Sequence, residues 1–342
     1  MKRLLKKMLL FTVPFFLALV FFFLFEPYDY FAVKGNAAYH SKPLSAMRYT
    51  MLRKPDKIIL GDSRMANLDN NYIREISGEE YATLGYGGSQ LGESIDMFWF
   101  AVEHTELSKV VFGLNFFTSP GTQTGENRVL RVEQVEPYAK NPLKFISHIN
   151  YWLETMANAK NTIQNGIARL LNLPEFEVWV EDPRVDNILP DSEMGKKWPK
   201  NIESYGKEDI YKALTGFHIE DETYAALQEI IDYCDANGIE LIFVFPPVHD
   251  SIFEYVVEPL GFGGDLERYK EFLIERATVY DFELRTEFSA AQDTFYDGFH
   301  LLLDGKHLFA RLLFTDTDEH PEMVERHIKD GVAIIPEHLA VE

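Results

Sequence analysis

Residues Met8 to Phe25 run for eighteen positions without one charged side chain, and that feature limits the start of the chain to a helix. At about 1.5 Å per residue the run approaches the ~30 Å hydrocarbon core of a bilayer, where only internally hydrogen-bonded backbone is stable. Residues 1–7 carry Lys2, Arg3, Lys6 and Lys7. A basic flank stays on the cytoplasmic side. The reading is a single-pass membrane anchor over 8–25, with a cytoplasmic N-terminus and the remaining chain extracytoplasmic. A cleaved signal peptide competes with it, but such a segment has a shorter apolar core and a small-x-small cleavage site. Here Phe21 to Phe25 lead into Glu26, Pro27, Tyr28 and Tyr30, and aromatics at that border suit a membrane–water interface.

The whole chain has 342 residues, 46% of them apolar, enough to bury one large α/β core. Its formal charge of −21 argues against a nucleic-acid partner, because phosphate binding needs clustered Lys and Arg. The single cysteine, Cys234, excludes an intramolecular disulfide. It follows Ile230, Ile231 and Tyr233 and reads as part of a buried helix face.

Residues 26–55 read as a stalk, with a short helix near Leu44 to Leu52. A folded domain then spans 56–316. Short β-branched runs at Lys57 to Gly61, Val110 to Gly113, Ile239 to Phe245 and Thr278 to Phe282 read as strands. Between and after them, helical periodicity marks Leu91 to His104, 222–236 (ended by Asn237-Gly238), Leu266 to Arg276 and Gly305 to Phe314. Alternating strands and helices predict an α/β fold, a parallel sheet covered on both faces. The stretch 118–215 breaks the rhythm. It holds helical material from Pro142 to Leu173, then a polar region with Trp179 and Trp198, and reads as an insertion, either a lid or a partner surface. The acidic tail, 317–342, reads as peripheral.

Four short segments carry chemistry. In Gly61-Asp62-Ser63-Arg64 a serine follows a buried strand, at the sheet edge where open α/β folds bind ligands; the same residues also suit a helix cap. Gly85-Tyr86-Gly87-Gly88 lets backbone pass close to a substrate and offers an N–H to an oxyanion. Asn115, directly after the second buried strand, offers a side-chain amide for the same purpose. In Asp297-Gly298-Phe299-His300 the three-residue spacing lets a carboxylate reach the imidazole nitrogen that faces away from the serine.

In that order the segments resemble the SGNH, or GDSL-like, hydrolase superfamily over roughly residues 56–315, the insertion excluded. Gly61-Asp62-Ser63 matches its first block, Gly88 its second-block glycine, Asn115 its third-block asparagine, and Asp297 with His300 its last block. Thr83 stands where many members carry Asn, and Phe116 where many hydrolases carry Asp. The resemblance implies a three-layer, flavodoxin-like parallel sheet and a Ser63–His300–Asp297 triad with Ser63, Gly88 and Asn115 as oxyanion donors. The N-terminal anchor makes the chain similar to the branch that works beside membrane-bound O-acyltransferases, which includes the teichoic-acid D-alanylation protein and acetyltransferases of exported polysaccharides. That implies acyl transfer to a glycan or polyol acceptor, or hydrolysis of its acyl esters, with no cofactor. The alternative is a non-catalytic partner of a membrane-bound O-acyltransferase.

Several neighbouring residues stay open at this level. Arg64 is either a structural ion pair or a contact for an anionic acceptor. Tyr86, Phe116 and Phe117 are either core or pocket wall. His249 lies beyond a strand end and reads as a solvated loop residue. His300 and His307 lack a third ligand at zinc spacing, so no metal is expected.

Overall fold

The computed structural model describes residues 2–32, 42–114, 131–173, 218–291, 293–315, 317 and 319–329, with the side chains of 2–11 excluded. Its centre is a six-stranded sheet in the order β2-β1-β3-β4-β5-β6. The strands are β1 (Lys57–Leu60), β2 (Ala82–Thr83), β3 (Lys109–Gly113), β4 (Glu240–Phe245), β5 (Thr278–Asp281) and β6 (Glu325–His327). Strands β1 to β5 pair in parallel, in register from Lys57 opposite Lys109 to Phe245 opposite Asp281. The expectation of a fully parallel sheet is corrected at one margin, where β6 runs antiparallel to β5. The acidic tail is therefore not wholly peripheral.

Each central strand is buried on both faces, and its successive side chains divide between two cores. Ile58, Leu60, Val110, Phe112, Phe243 and Phe245 face one; Ile59, Val111, Ile242 and Val244 face the other. The first core is covered by α5 (Leu91–His104), α9 (Asp221–Asn237) and α10 (Gly263–Ile274), the second by α4 (Asn70–Ser77) and α11 (Leu303–Phe314). Cys234 lies in the first core on α9, as its neighbours predict. Helix α9 stops at Gly238, which takes a left-handed φ of 67°.

The helix α1 (Lys2–Phe25) forms over the uncharged run. Among the described residues no helix is long and apolar enough to cross a membrane, and the expected span of 8–25 falls partly among the excluded side chains. The described parts of the segment read as a stalk are packed. Helix α2 (Pro43–Arg53) buries Leu44, Ala46 and Met47. The Glu26 carboxylate accepts the backbone N–H groups of Tyr28 and Tyr30 at 2.7 and 3.1 Å.

The described part of the insertion forms α6 (Arg131–Lys140), α7 (Pro142–Ser147) and α8 (Ile149–Leu170), and its rings receive those tyrosines. Tyr30 stacks on Phe145 with centroids 4.0 Å apart, and Phe22 meets Trp152 at 4.6 Å. Arg48 closes the joint, donating to the carbonyls of Tyr30 and Ala139. Ring burial against these helices explains the aromatic border that the sequence assigns to a membrane interface. Trp179 and Trp198 lie outside the described residues.

Candidate active site

Strand order reverses between β1 and β3: the chain leaves β1 for β2 on one side and returns to β3 on the other. The crevice at the carboxyl ends of these strands is where open α/β sheets bind ligands. Ser63 sits at that edge. It opens a one-turn helix, α3 (Ser63–Ala66), whose N-cap is Asp62. The tight turn before it requires Gly61, at φ 132°, and a Cβ there would also crowd the Met65 side chain and the Gly113 carbonyl.

The Ser63 hydroxyl lies 2.7 Å from His300 Nε2. On the other side of the ring, His300 Nδ1 lies 2.8 Å from Asp297 Oδ2. Asp297 Oδ1 accepts the backbone N–H groups of Phe299 and His300 at 2.7 and 2.8 Å, so the carboxylate organises its own turn. Burial opposes ionisation of Asp297. The His300 ring, its hydrogen bond and those two amides outweigh burial and hold the carboxyl below the usual carboxylate range. With an ionised carboxylate on Nδ1, the favoured neutral tautomer leaves Nε2 free to accept the serine proton.

Two further contacts fix the imidazole. Tyr296 stacks on the His300 ring and its N–H donates to the His300 carbonyl at 3.0 Å. Next to this turn, the His249 N–H donates to the Gly298 carbonyl at 3.0 Å. His249 is buried, contrary to the solvated reading, and its Nδ1 lies 2.8 Å from the Ser251 hydroxyl. It braces the turn from the end of β4. The only signal for Tyr296 in the sequence is an aromatic residue beside Asp297.

Arg64 is a structural ion pair. Its guanidinium donates to Asp62 at 3.2–3.3 Å and to the carbonyls of Leu114 and Pro246 at 3.3 and 3.4 Å. It also approaches Glu283 at 3.7 Å. One buried side chain thus ties together the carboxyl ends of β1, β3 and β4 and the segment after β5. Glu283 in turn lies 3.6 Å from Lys270. Burial pushes the Glu283 carboxyl up to about 7, against the pull of Lys270 and Arg64.

The glycine segment is brought to the nucleophile turn. The Tyr86 N–H donates to the Gly61 carbonyl at 3.3 Å, and a Cβ on Gly85 would sit 2.5 Å from that same oxygen. Gly88 follows at φ 68°. Neither the Ser63 nor the Gly88 amide has an acceptor among the described residues. Asn115, Phe116 and Phe117 lie outside those residues, one step past Leu114. Tyr86 belongs to the core beneath the glycine turn. His307 stacks on Tyr72, and among the described residues no group of three or more His, Cys, Asp or Glu is placed to hold a metal ion.

A cavity of about 10 Å³ beside the imidazole, bordered by Arg64, Asn67, Tyr296 and Lys306, is too small for more than a water-sized group. No family model matches this chain, and no curated protein matches it.

Proposed function

We propose that this chain is a membrane-anchored, extracytoplasmic serine acyltransferase or esterase of the SGNH type, acting on acyl esters of a cell-surface or exported glycan. The observation that carries the reading is the hydrogen-bonded row from Ser63 through His300 to Asp297, at 2.7 and 2.8 Å. Its chemistry follows from those positions. Nε2 of His300 takes the Ser63 proton as Oγ attacks the acyl carbonyl, and Asp297 stabilises the imidazolium. The N–H groups of Ser63 and Gly88, with the Asn115 amide, receive the oxyanion. The leaving alcohol departs with the proton from His300. A sugar or polyol hydroxyl, or water, then gives a proton to His300 and takes the acyl group, and His300 passes that proton to Ser63 Oγ as the acyl–serine bond breaks. The anchor over residues 8–25 rests on the uncharged run behind its basic flank.

A fluorophosphonate probe tests the reading on the full chain. It should label wild type at Ser63, and Ser63→Ala should abolish both labelling and turnover of 4-nitrophenyl acetate. Equal labelling of the Ala variant would overturn the nucleophile. If acyl transfer in membranes containing a membrane-bound O-acyltransferase survived Ser63→Ala, a non-catalytic partner role would replace the enzyme.

A further inference from the structure

Between the nucleophile turn and α5 the chain makes a tight turn, Tyr86 to Ser89, closed by the Ser89 N–H donating to the Tyr86 carbonyl at 3.1 Å. Gly88 has positive φ and Gly87 does not, the signature of a type II turn with Gly88 third. In such a turn the central peptide stands across the turn plane, so the Gly88 N–H emerges on one face. Any rotation of that peptide would turn the donor away.

The next peptide, which shares the Gly88 Cα with that donor, is held from the insertion. Arg131, the first residue of α6, donates from Nη2 to the Gly88 carbonyl at 2.6 Å. The same guanidinium donates from Nε and Nη2 to both oxygens of Glu93 at 2.7 and 2.6 Å. It also lies 5.4 Å from the centroid of the Tyr86 ring. Glu93 is wholly buried in the first turn of α5 and also accepts the Gln90 N–H at 3.0 Å. One planar side chain therefore grips the glycine turn and the start of the helix that follows it. A buried carboxylate is strongly destabilised without a cation, so Glu93 holds Arg131 in place as firmly as Arg131 holds the turn.

We propose that Arg131 is a positioning residue through which the inserted helices set the Gly88 donor toward the oxyanion. The inference rests on the acyl-transfer reading above and assigns the insertion a part in it. In this role Arg131 acts through Gly88 and not on the substrate directly. Its loss therefore acts on the rate of the chemical step, not on substrate capture.

The test uses the full chain with 4-nitrophenyl acetate as probe. Arg131→Gln should lower kcat by about 10², the range for losing one oxyanion donor, with KM within about twofold of wild type. Because that variant leaves Glu93 uncompensated, Arg131→Gln/Glu93→Gln is measured beside it; both positions are then neutral, and the same kcat loss is expected. Arg131→Lys, which lacks the fork, should recover only part of the rate. Lys140→Gln, elsewhere on α6, should match wild type. The proposal falls if the double variant turns over within about threefold of wild type, or if its loss appears in KM alone. Ser63→Ala separates the two claims: full turnover by that variant sinks the acyl-transfer reading, whereas its inactivity beside an active double variant sinks only the role of Arg131.

Discussion

Tyr296 lies flat against His300, with ring centroids 5.1 Å apart and planes 9° from parallel. An offset stack of this kind adds about 0.5–1.5 kcal/mol beyond simple burial, and it restricts the imidazole to the plane in which Nε2 meets Ser63. Tyr296→Phe keeps the ring and should label with a fluorophosphonate at the wild-type rate. Tyr296→Leu should label about three- to tenfold more slowly, the rate equivalent of the lost stack. Equal rates for both variants would remove the stack from the account.

Asp297→Asn tests the tautomer. The amide oxygen can still accept the Phe299 and His300 N–H groups that shape the turn. Its NH₂ group would face Nδ1, which favours a proton on Nε2 and blocks removal of the serine proton. Turnover of 4-nitrophenyl acetate should fall on the order of 10³–10⁴-fold, with an unchanged circular dichroism spectrum.

Arg64 follows the nucleophile but acts on stability first. Removing it leaves Asp62 and Glu283 buried without their shared cation. Breaking such a pair costs about 3–5 kcal/mol, so Arg64→Ala should lower the thermal midpoint by roughly 10 °C. Arg64→Lys keeps the charge without the planar fork that reaches Leu114 and Pro246, and should fall between the two. A midpoint for Arg64→Ala within about 2 °C of wild type would show that the network is dispensable.

Glu283 should impose a pH dependence on folding. Its carboxyl is raised from 4.5 to about 7 by burial, so between those values the folded chain keeps a proton that the unfolded chain has released. Its contribution to stability is present below the lower value, declines as pH rises through the window, and is level above it. Glu283→Gln does not titrate. The thermal midpoint of wild type relative to this variant should therefore drop between about pH 4.5 and pH 7. A constant difference would contradict the raised carboxyl.

Local pattern encodes the sheet and the Asp297–His300 turn well, because both rest on short-range rules. Strands β1, β3 and β4 are apolar runs that must be buried on both faces. The Asp297 turn is made by bonds two and three residues long. What joins the pieces is less legible. Ser63 and His300 are 237 positions apart, and only the resemblance predicts that they meet. Glu325-Arg326-His327 has no apolar run, and an edge strand needs none, so β6 leaves no signal in the sequence. The aromatics at Tyr28 and Tyr30 suit a lipid interface and a protein interior equally, and the choice depends on Phe145 and Trp152, more than a hundred residues later. Arg131 is one charge in a polar stretch; its role exists only once α6 is laid beside the glycine turn.

The two margins of the sheet are very short: β2 has two residues and β6 three. Exposed strand edges invite other chains to add themselves by backbone pairing, and brevity is one way proteins discourage it. At either border an incoming segment would find few ladder bonds on offer. The fold can thus keep its interior strands apolar without recruiting copies of itself into a growing fibril.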